Sequence, residues 1–258
     1  MELFLTNDKR RIILTEILRW RYLGTLELSE SLQDGTRIGP LRKLLRRMEK
    51  DGLVSSYMSA AVKRKFYYAS KLTHEQYIGE RKWHINEDIK AHDAILSTFL
   101  FKLSRCPNVK NPRHFEETRG RSVLNLIEPD ATFELDLNGQ ESLCSVELEL
   151  NRKSQDLIKK KFKSIYLGGA SLGASPFDLV FYIFSDLNIL KAYHRYHIEI
   201  VEELGIKYAD LKIVFAYSDT LPSYYLNLSD IKRLTQEGEI DDLGEFFFEP
   251  FKMEPQWN

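Results

Sequence analysis

Apolar residues along the first 70 positions follow helical spacing at first and two-residue alternation later. Helical spacing predicts a helix over residues 8–22, a shorter helix after Thr25 and a further helix over 41–50. Alternation then predicts strands over 53–58 and 65–70, joined by a basic turn. The N-terminal part of the chain is therefore expected to hold three helices followed by a hairpin.

The rest of the chain predicts a mixed sheet with helices on its faces. We expect segments 71–82 and 107–120 to be connections. Residues 219–258 are expected to form an acidic tail, in which 237–245 are solvated and 246–251 dock on the rest of the domain. The predicted elements are, in order, a helix over 86–104, a hairpin of strands 130–137 and 143–150 around Asn138-Gly139, a lysine-rich helix over 154–166 ended by Gly168-Gly169, a strand over 177–184, a helix over 189–204 and a strand over 211–217.

Charge divides the chain into two parts, although its formal net charge is only -1. Residues 1–82 hold 17 Lys and Arg against 10 Asp and Glu, whereas residues 83–258 hold 20 against 28. This asymmetry predicts a basic binding domain over 1–82 and a more acidic domain over 83–258.

Several classes of protein are not expected. No apolar run approaches the roughly 18 residues that span a bilayer, so no membrane partner is predicted. The N-terminus lacks the pattern of a secretory signal, and Cys106 and Cys144 are too few for a disulfide framework. We expect a reduced, cytoplasmic protein without a small-molecule cofactor.

The order of the N-terminal elements is that of a winged helix-turn-helix, and residues 45–54 resemble the end of its recognition helix and the entry to its wing. The polar face of the third helix is basic: Arg42, Lys43, Arg46 and Arg47. The predicted wing turn is basic as well: Lys63, Arg64 and Lys65. We expect the helix to enter the major groove of double-stranded DNA and the wing to contact the backbone. The alternative is a solvated basic face on a protein-binding module.

Carboxylates gather at one end of the predicted acidic hairpin. Asp130 begins one strand, and Glu147 and Glu149 share a face near the end of the other. Converging carboxylates repel one another unless they share a cation, and oxygen ligands of this kind suit Mg²⁺ or Mn²⁺. The alternative is an edge hairpin with a solvated acidic face.

Pro129-Asp130, then Glu147-Leu-Glu149, then a lysine-rich helix, resembles the PD-(D/E)XK core of restriction-endonuclease-like nucleases. With the winged helix in front, the chain resembles the replication-relaxation family, which includes MobC-type plasmid mobilisation proteins; His92 and Tyr166 match residues of that family's pattern. The resemblance implies an α+β or α/β protein in which the winged helix precedes a restriction-endonuclease-like mixed sheet flanked by helices. It also implies metal-dependent cleavage of DNA, with Asp130 and Glu147 holding Mg²⁺ or Mn²⁺.

The sequence departs from the E-x-K signature, because Glu149 stands where the signature has Lys. Either Glu149 is an additional metal ligand and Lys160 or Lys161 supplies the lysine, or the site has lost catalysis. We select Lys161, which the helical spacing places on the inward stripe, although a surface charge or a phosphate contact is the simpler role for any one lysine of this helix.

Two other groups of residues are weaker candidates for a functional site. His194 and His197 have a spacing compatible with zinc, but no third ligand is evident, and we expect a solvent-facing pair. The chain has no His-x-His, so a relaxase with a tyrosine nucleophile is not expected, and Tyr166 is interpreted as a packing or phosphate-positioning residue.

The functional hypothesis is a metal-dependent nickase that acts as a relaxase at a plasmid transfer origin, together with other mobilisation proteins. The alternative is a repressor or accessory factor that binds DNA on a catalytically inactive nuclease-like fold.

Overall fold

The computed structural model describes residues 8–32, 36–59, 63–78, 90–115, 129–137, 139–172, 177–207, 212–221, 228–235 and 239–242. The chain divides into two compact units, Met1–Phe101 and Lys102–Asn258. The division falls within a helix, whereas the expected boundary between residues 82 and 83 lies outside the described residues. None of the described helices is long and apolar enough to span a membrane.

The N-terminal unit combines helices with a small antiparallel sheet. Its elements are α1 (Asp8–Trp20), β1 (Leu23–Gly24), α2 (Thr25–Ser31), α3 (Ile38–Lys50), β2 (Val54–Ser59), β3 (Arg64–Ala69), α4 (Lys71–Ile78) and α5 (Lys90–Leu103). The three strands lie in the order β1-β3-β2, and both pairings are antiparallel. The three predicted helices and the hairpin are therefore confirmed as elements.

Three details of this unit differ from the prediction. The first helix ends at Trp20 because Arg21 adopts a left-handed conformation with φ of 67°, so Gly24 is not its stop signal. Gly24 instead belongs to β1, which is only 2 residues long and gives no periodic signal. Segment 71–82, expected to be a connection, contains α4.

The core of the unit follows from the apolar stripe of α3. Leu41, Leu45 and Met48 are fully buried, while the four basic residues between them are exposed. The helix presents its charge outward because these positions lie opposite the buried stripe.

A buried ion pair joins α2 to β3. The Arg64 guanidinium donates to the Glu27 carboxylate, and both side chains are at most 2% exposed. Gly24 lies against this guanidinium, so a Cβ at position 24 would collide with it. The prediction that Arg64 contacts DNA from the wing is wrong, because its charge is buried and neutralised inside the unit.

In the residues that the structure describes, the C-terminal unit is built on a seven-stranded mixed sheet. Its elements are β4 (Val109–His114), β5 (Ala131–Leu137), β6 (Gln140–Glu149), α6 (Gln155–Leu172), β7 (Leu179–Phe184), α7 (Leu187–Leu204), β8 (Ile213–Tyr217), a short 3₁₀ turn (Leu228–Asp230), β9 (Lys232–Leu234) and β10 (Ile240–Asp242). The strand order is β10-β9-β8-β7-β6-β5-β4. Strands β6, β7 and β8 are parallel, and the other neighbours are antiparallel.

Parts of this sheet were not expected. Segment 107–120 contains β4, whose register shifts between Lys110 and Arg113 where Asn111 has φ of 51°. Pro112 is tolerated there because β4 lies at the edge of the sheet. Helix α6 continues through Gly168-Gly169 to Leu172, and the expected tail contributes the short strands β9 and β10.

Helices α6 and α7 pack against the sheet through an aromatic core that includes Phe162, Tyr182 and Phe215. The other members of the cluster are Ile158, Ile165, Val180, Phe184, Leu190, Tyr193, Tyr196, Ile200 and Leu234.

Asp186 caps α7 by accepting from the amides of Asn188 and Ile189, and Gly205 ends the helix with φ of 64°.

The expectation that His194 and His197 face solvent is wrong. Their exposures are 9% and 5%, and both rings contact Phe215. The Tyr166 hydroxyl and His197 Nε2 form a hydrogen bond of 2.7 Å. Burial lowers the pKa of His197 to about 4, with a smaller effect from His194.

We expect Glu27→Ala to lower the free energy of unfolding by about 3–5 kcal/mol, because it leaves the buried Arg64 charge without its counterion. Arg10→Ala is the control, since its pair with Asp51 is partly exposed and contributes less than about 1 kcal/mol. Denaturant unfolding measures both losses. Equal losses in the two variants would contradict the structural role of the buried pair.

The buried imidazole of His197 predicts a pH dependence. Its pKa is about 4 in the folded state and near 6.5 when exposed, so the unfolded chain binds more protons between these values. The stability of the natural protein relative to His197→Gln should therefore rise with pH across this window, by up to about 1.4 kcal/mol per pH unit. Urea unfolding at several pH values measures the difference, and parallel profiles would contradict it.

Candidate active site

The hairpin of β5 and β6 places Asp130 opposite Glu147. Ala131 pairs with Val146 in the last pair of the ladder, so Asp130 and Glu147 are the next residues along the two chains, and the Asp130 charge contributes to the pKa of Glu147. The Asp130 amide donates to the Val146 carbonyl at 2.9 Å. The Asp130 carboxylate then accepts from the Leu148 amide at 2.8 Å, so the side chain takes the place of a main-chain acceptor beyond the end of β5.

Glu147 lies inside the unit. It is 4% exposed, because β6 is flanked by β5 and β7, and Tyr182 of β7 is in register with it. Burial raises the pKa of Glu147 to about 7; the Lys161 charge opposes this shift, while Asp130 and Glu149 add to it. A solvated edge hairpin therefore does not describe this carboxylate.

Lys161 of α6 supplies the counterion of Glu147. Its Nζ lies 2.5 Å from Glu147 Oε2, and the lysine side chain is 18% exposed. Ile158 and Ile165, one turn to either side, are buried on the stripe that holds α6 to the sheet. Leu157 is 51% exposed and is not part of this stripe. Lys160 is exposed, so of the two lysines considered, the structure brings Lys161 to the carboxylates.

Glu149 has a partner of its own. It is 2% exposed, and its Oε1 accepts from Lys153 Nζ at 2.6 Å. Burial is the main cause of the raised pKa of Tyr193, and the negative charge of Glu149 adds to the shift. Among the described residues, no group of three or more His, Cys, Asp or Glu side chains is arranged to hold a metal ion. The three carboxylates do not converge, because each is directed to a different donor.

Tyr182 is a residue of this site that the sequence analysis missed. Its side chain is fully buried, and its hydroxyl has no hydrogen-bond partner among the described residues. Burial and the negative charges of Glu147 and Glu149 raise its pKa well above the usual value. The sequence analysis missed this hydroxyl because Tyr182 lies in the predicted strand 177–184, where its neighbours from Leu179 to Phe184 are all hydrophobic.

The donor set fits a divalent cation with two protein carboxylates rather than three. Mg²⁺ is commonly held by one or two carboxylates, with waters and phosphate oxygens as its other ligands. Asp130 and Glu147 lie opposite each other. The Tyr182 hydroxyl lies close enough to both carboxylates to feel their charges, and it has no hydrogen-bond partner among the described residues. Glu149 is the member of the expected metal set that Lys153 holds.

Most residues of the basic face of the N-terminal unit are exposed to solvent. Arg42, Lys43, Arg46 and Arg47 of α3 are exposed, as is Lys63 at the turn. Lys65 is partly exposed, and its Nζ lies 3.1 Å from Glu49. Arg64 is buried and therefore does not belong to the exposed basic face.

Two residues matched to the family pattern lie in different units. His92, in the N-terminal unit, has its Nδ1 3.3 Å from Asp93 Oδ1. Tyr166, in the C-terminal unit, stacks on His197 and bonds to it, which agrees with the packing role.

No protein-family model matches the sequence, and no protein of curated function matches it. The restriction endonuclease FokI bound to DNA is a structural neighbour, with a TM-score of 0.33 and 9% identity over 83% of this chain. The chain spans 43% of that FokI chain. Similarity at this level assigns no function to the chain, and membership of the replication-relaxation family stays a prediction.

Tyr182→Phe should raise the free energy of unfolding by about 1 kcal/mol in the absence of divalent cations, because it removes a buried hydroxyl without a partner. Tyr166→Phe is the matched control and should lower it by about 1 kcal/mol, since its hydroxyl bonds to His197. Thermal unfolding of the two variants measures both changes. Destabilisation by Tyr182→Phe would show that its hydroxyl is satisfied in solution.

Proposed function

We propose that this protein is a metal-dependent DNA endonuclease that nicks one strand of a duplex. The observation that carries the proposal is the placement of Asp130 opposite Glu147, with Lys161 of α6 on the same carboxylate. The buried carboxylate of Glu147, the half-buried carboxylate of Asp130 just before β5, and the lysine of the following helix are the kinds of group that hydrolysis of a phosphodiester requires.

Each group has a distinct role. Asp130 and Glu147 would hold Mg²⁺ or Mn²⁺, which polarises a phosphate and lowers the pKa of the attacking water. The ammonium of Lys161 keeps negative charge at Glu147 and stabilises charge that develops on the phosphate. Glu149, with Lys153 bound to it, supports the end of β6 in this scheme rather than acting as a ligand.

The N-terminal unit would deliver the duplex. The order of α1 to β3 supports a winged helix-turn-helix in which α3 enters the major groove. Four exposed basic residues of α3 and Lys63 at the turn would contact the DNA, while Arg64 has a structural role. The net charge of the segment 1–82 favours the same assignment.

The biological setting rests on the resemblance to the replication-relaxation family. In that setting the chain acts as a relaxase at a plasmid transfer origin, in the cytoplasm, and works with other mobilisation proteins. The motif order in residues 129–149 and the lysine-rich helix are the features that support it.

A second function is favoured by the ion pairs themselves. Glu147 and Glu149 are already neutralised by lysines, and Glu149 replaces the lysine of the nuclease signature. An arrangement of this kind is stable without a metal. It suits a repressor or accessory factor that binds DNA and does not cut it.

We expect the protein to convert supercoiled plasmid carrying the cognate site to open circles in the presence of Mg²⁺ or Mn²⁺. Asp130→Asn should abolish nicking, since the amide keeps an acceptor for Leu148 but removes the ligand charge. Lys161→Met should lower the rate by at least roughly tenfold, given the strength of a charge-assisted contact. Lys160→Met, on the exposed side of α6, is the charge-matched control.

Gel electrophoresis of the plasmid, with a parallel binding assay, separates the two functions. Intact plasmid under all conditions, together with DNA binding that needs no divalent metal, would support the accessory factor instead.

A further inference from the structure

Two arginines converge on one tyrosine hydroxyl in the C-terminal unit. Arg152 follows the end of β6, and its Nη2 donates to the Tyr196 hydroxyl at 2.7 Å. Arg195 of α7 donates from its Nη2 to the same oxygen at 3.4 Å, and its guanidinium lies 5.1 Å from the Tyr196 ring centroid. Both arginines are exposed, whereas Tyr196 is 2% exposed. The tyrosine therefore fixes two mobile side chains at one place on the surface.

Four lysines of this region have carboxylate partners, whereas Arg152 and Arg195 have none among the described residues. The paired lysines of this region are Lys153 with Glu149, Lys159 with Glu199, Lys161 with Glu147 and Lys163 with Glu203, each with a separation of 2.5 or 2.6 Å. In the part of the chain that the structure describes, no carboxylate lies within ion-pair distance of Arg152 or Arg195. Three of the four lysines of α6 are thus paired within the unit, whereas the charge of the arginine pair is exposed and has no carboxylate partner in the described residues.

A neutral hydroxyl does not compensate two positive charges held side by side. Like charges at short range repel, and an anion between them removes that repulsion. Hydrogen bonds from Arg152 and then Arg195 lower the pKa of Tyr196, which reflects the local excess of positive charge. The planar guanidinium matches the oxygens of a phosphate group and binds them with paired hydrogen bonds.

We propose that Arg152 and Arg195 form a phosphate-binding pair that holds the backbone of a DNA strand at the end of β6. This inference rests on the proposed function and extends it, because it gives the C-terminal unit its own contact with the substrate. Arg152 lies three residues beyond Glu149 along the chain, so the proposed contact is at the end of β6 that carries Glu147 and Glu149. Both guanidinium groups are exposed, as binding to a polymer requires.

The test is the salt dependence of DNA binding by the full chain, measured without divalent metal so that no cleavage occurs. The logarithm of the binding constant is plotted against the logarithm of salt concentration for the natural protein, Arg152→Gln, Arg195→Gln and the double variant. Each lost phosphate contact should reduce the slope by about 0.9 and the affinity by roughly tenfold at low salt. Lys207→Gln removes one exposed charge beyond the end of α7 and should leave the slope unchanged.

A conservative variant separates charge from geometry. Replacing both arginines with lysine keeps the slope but weakens binding, because lysine lacks the planar pair of donors. Thermal unfolding confirms that each variant is folded. An unchanged slope in a folded double glutamine variant that still binds DNA would overturn the inference.

Two further outcomes distinguish the sources of the anion and the fate of the proposed function. If inorganic phosphate raises the melting temperature of the natural protein but not of the double variant, while the DNA slope is the same in both, a free anion is the ligand and the backbone assignment is wrong. Nicking that depends on Asp130, with no effect of the arginines on the slope, leaves the nuclease standing and removes the inference. A reduced slope without any nicking does the reverse.

Discussion

The candidate site depends on the requirement that a buried carboxylate have a partner. Glu147 lies between two neighbouring strands and beneath α6, where an unpaired negative charge would cost several kcal/mol. Lys161 meets that requirement, and the lysine is in place because α6 packs on the sheet through Ile158 and Ile165. The packing of one helix thus sets the position of the charge that the chemistry would use.

The hairpin that carries these carboxylates could be predicted from the sequence. Alternation in the hairpin and the Asn-Gly turn were sufficient to place Asp130 beside Glu147, because antiparallel register follows from the turn. The strands β7 and β8 and the helices α6 and α7 were also evident from length and hydrophobicity, although their parallel pairing was not predicted. The edge strand β4 was missed, because Asn111 and Pro112 interrupt its pattern and the left-handed residue shifts its register.

Burial of polar groups was harder to predict than the elements themselves. Arg64 was predicted to lie in a basic turn with Lys63 and Lys65, yet it begins β3 and its partner Glu27 is 37 residues away along the chain. His197 is paired with Tyr166 across 31 residues. Such contacts depend on tertiary packing, which local periodicity does not encode, and a charged residue therefore has the same local signature whether it binds a ligand or holds the core together.

The pairing of the carboxylates bears on how the site would act. A divalent cation held by Asp130 and Glu147, as proposed, would have to compete with Lys161 for Glu147 and with the Leu148 amide for Asp130. DNA would change that balance, because a backbone phosphate provides oxygens to the cation and an anionic partner to a displaced lysine at the same time. Metal binding and substrate binding would then be coupled, with the duplex assembling a site that the free protein keeps closed by its own ion pairs. This coupling connects the two candidate functions. If the ion pairs persist when DNA binds, the protein would act as an accessory factor. If DNA binding breaks them, it would act as a nuclease.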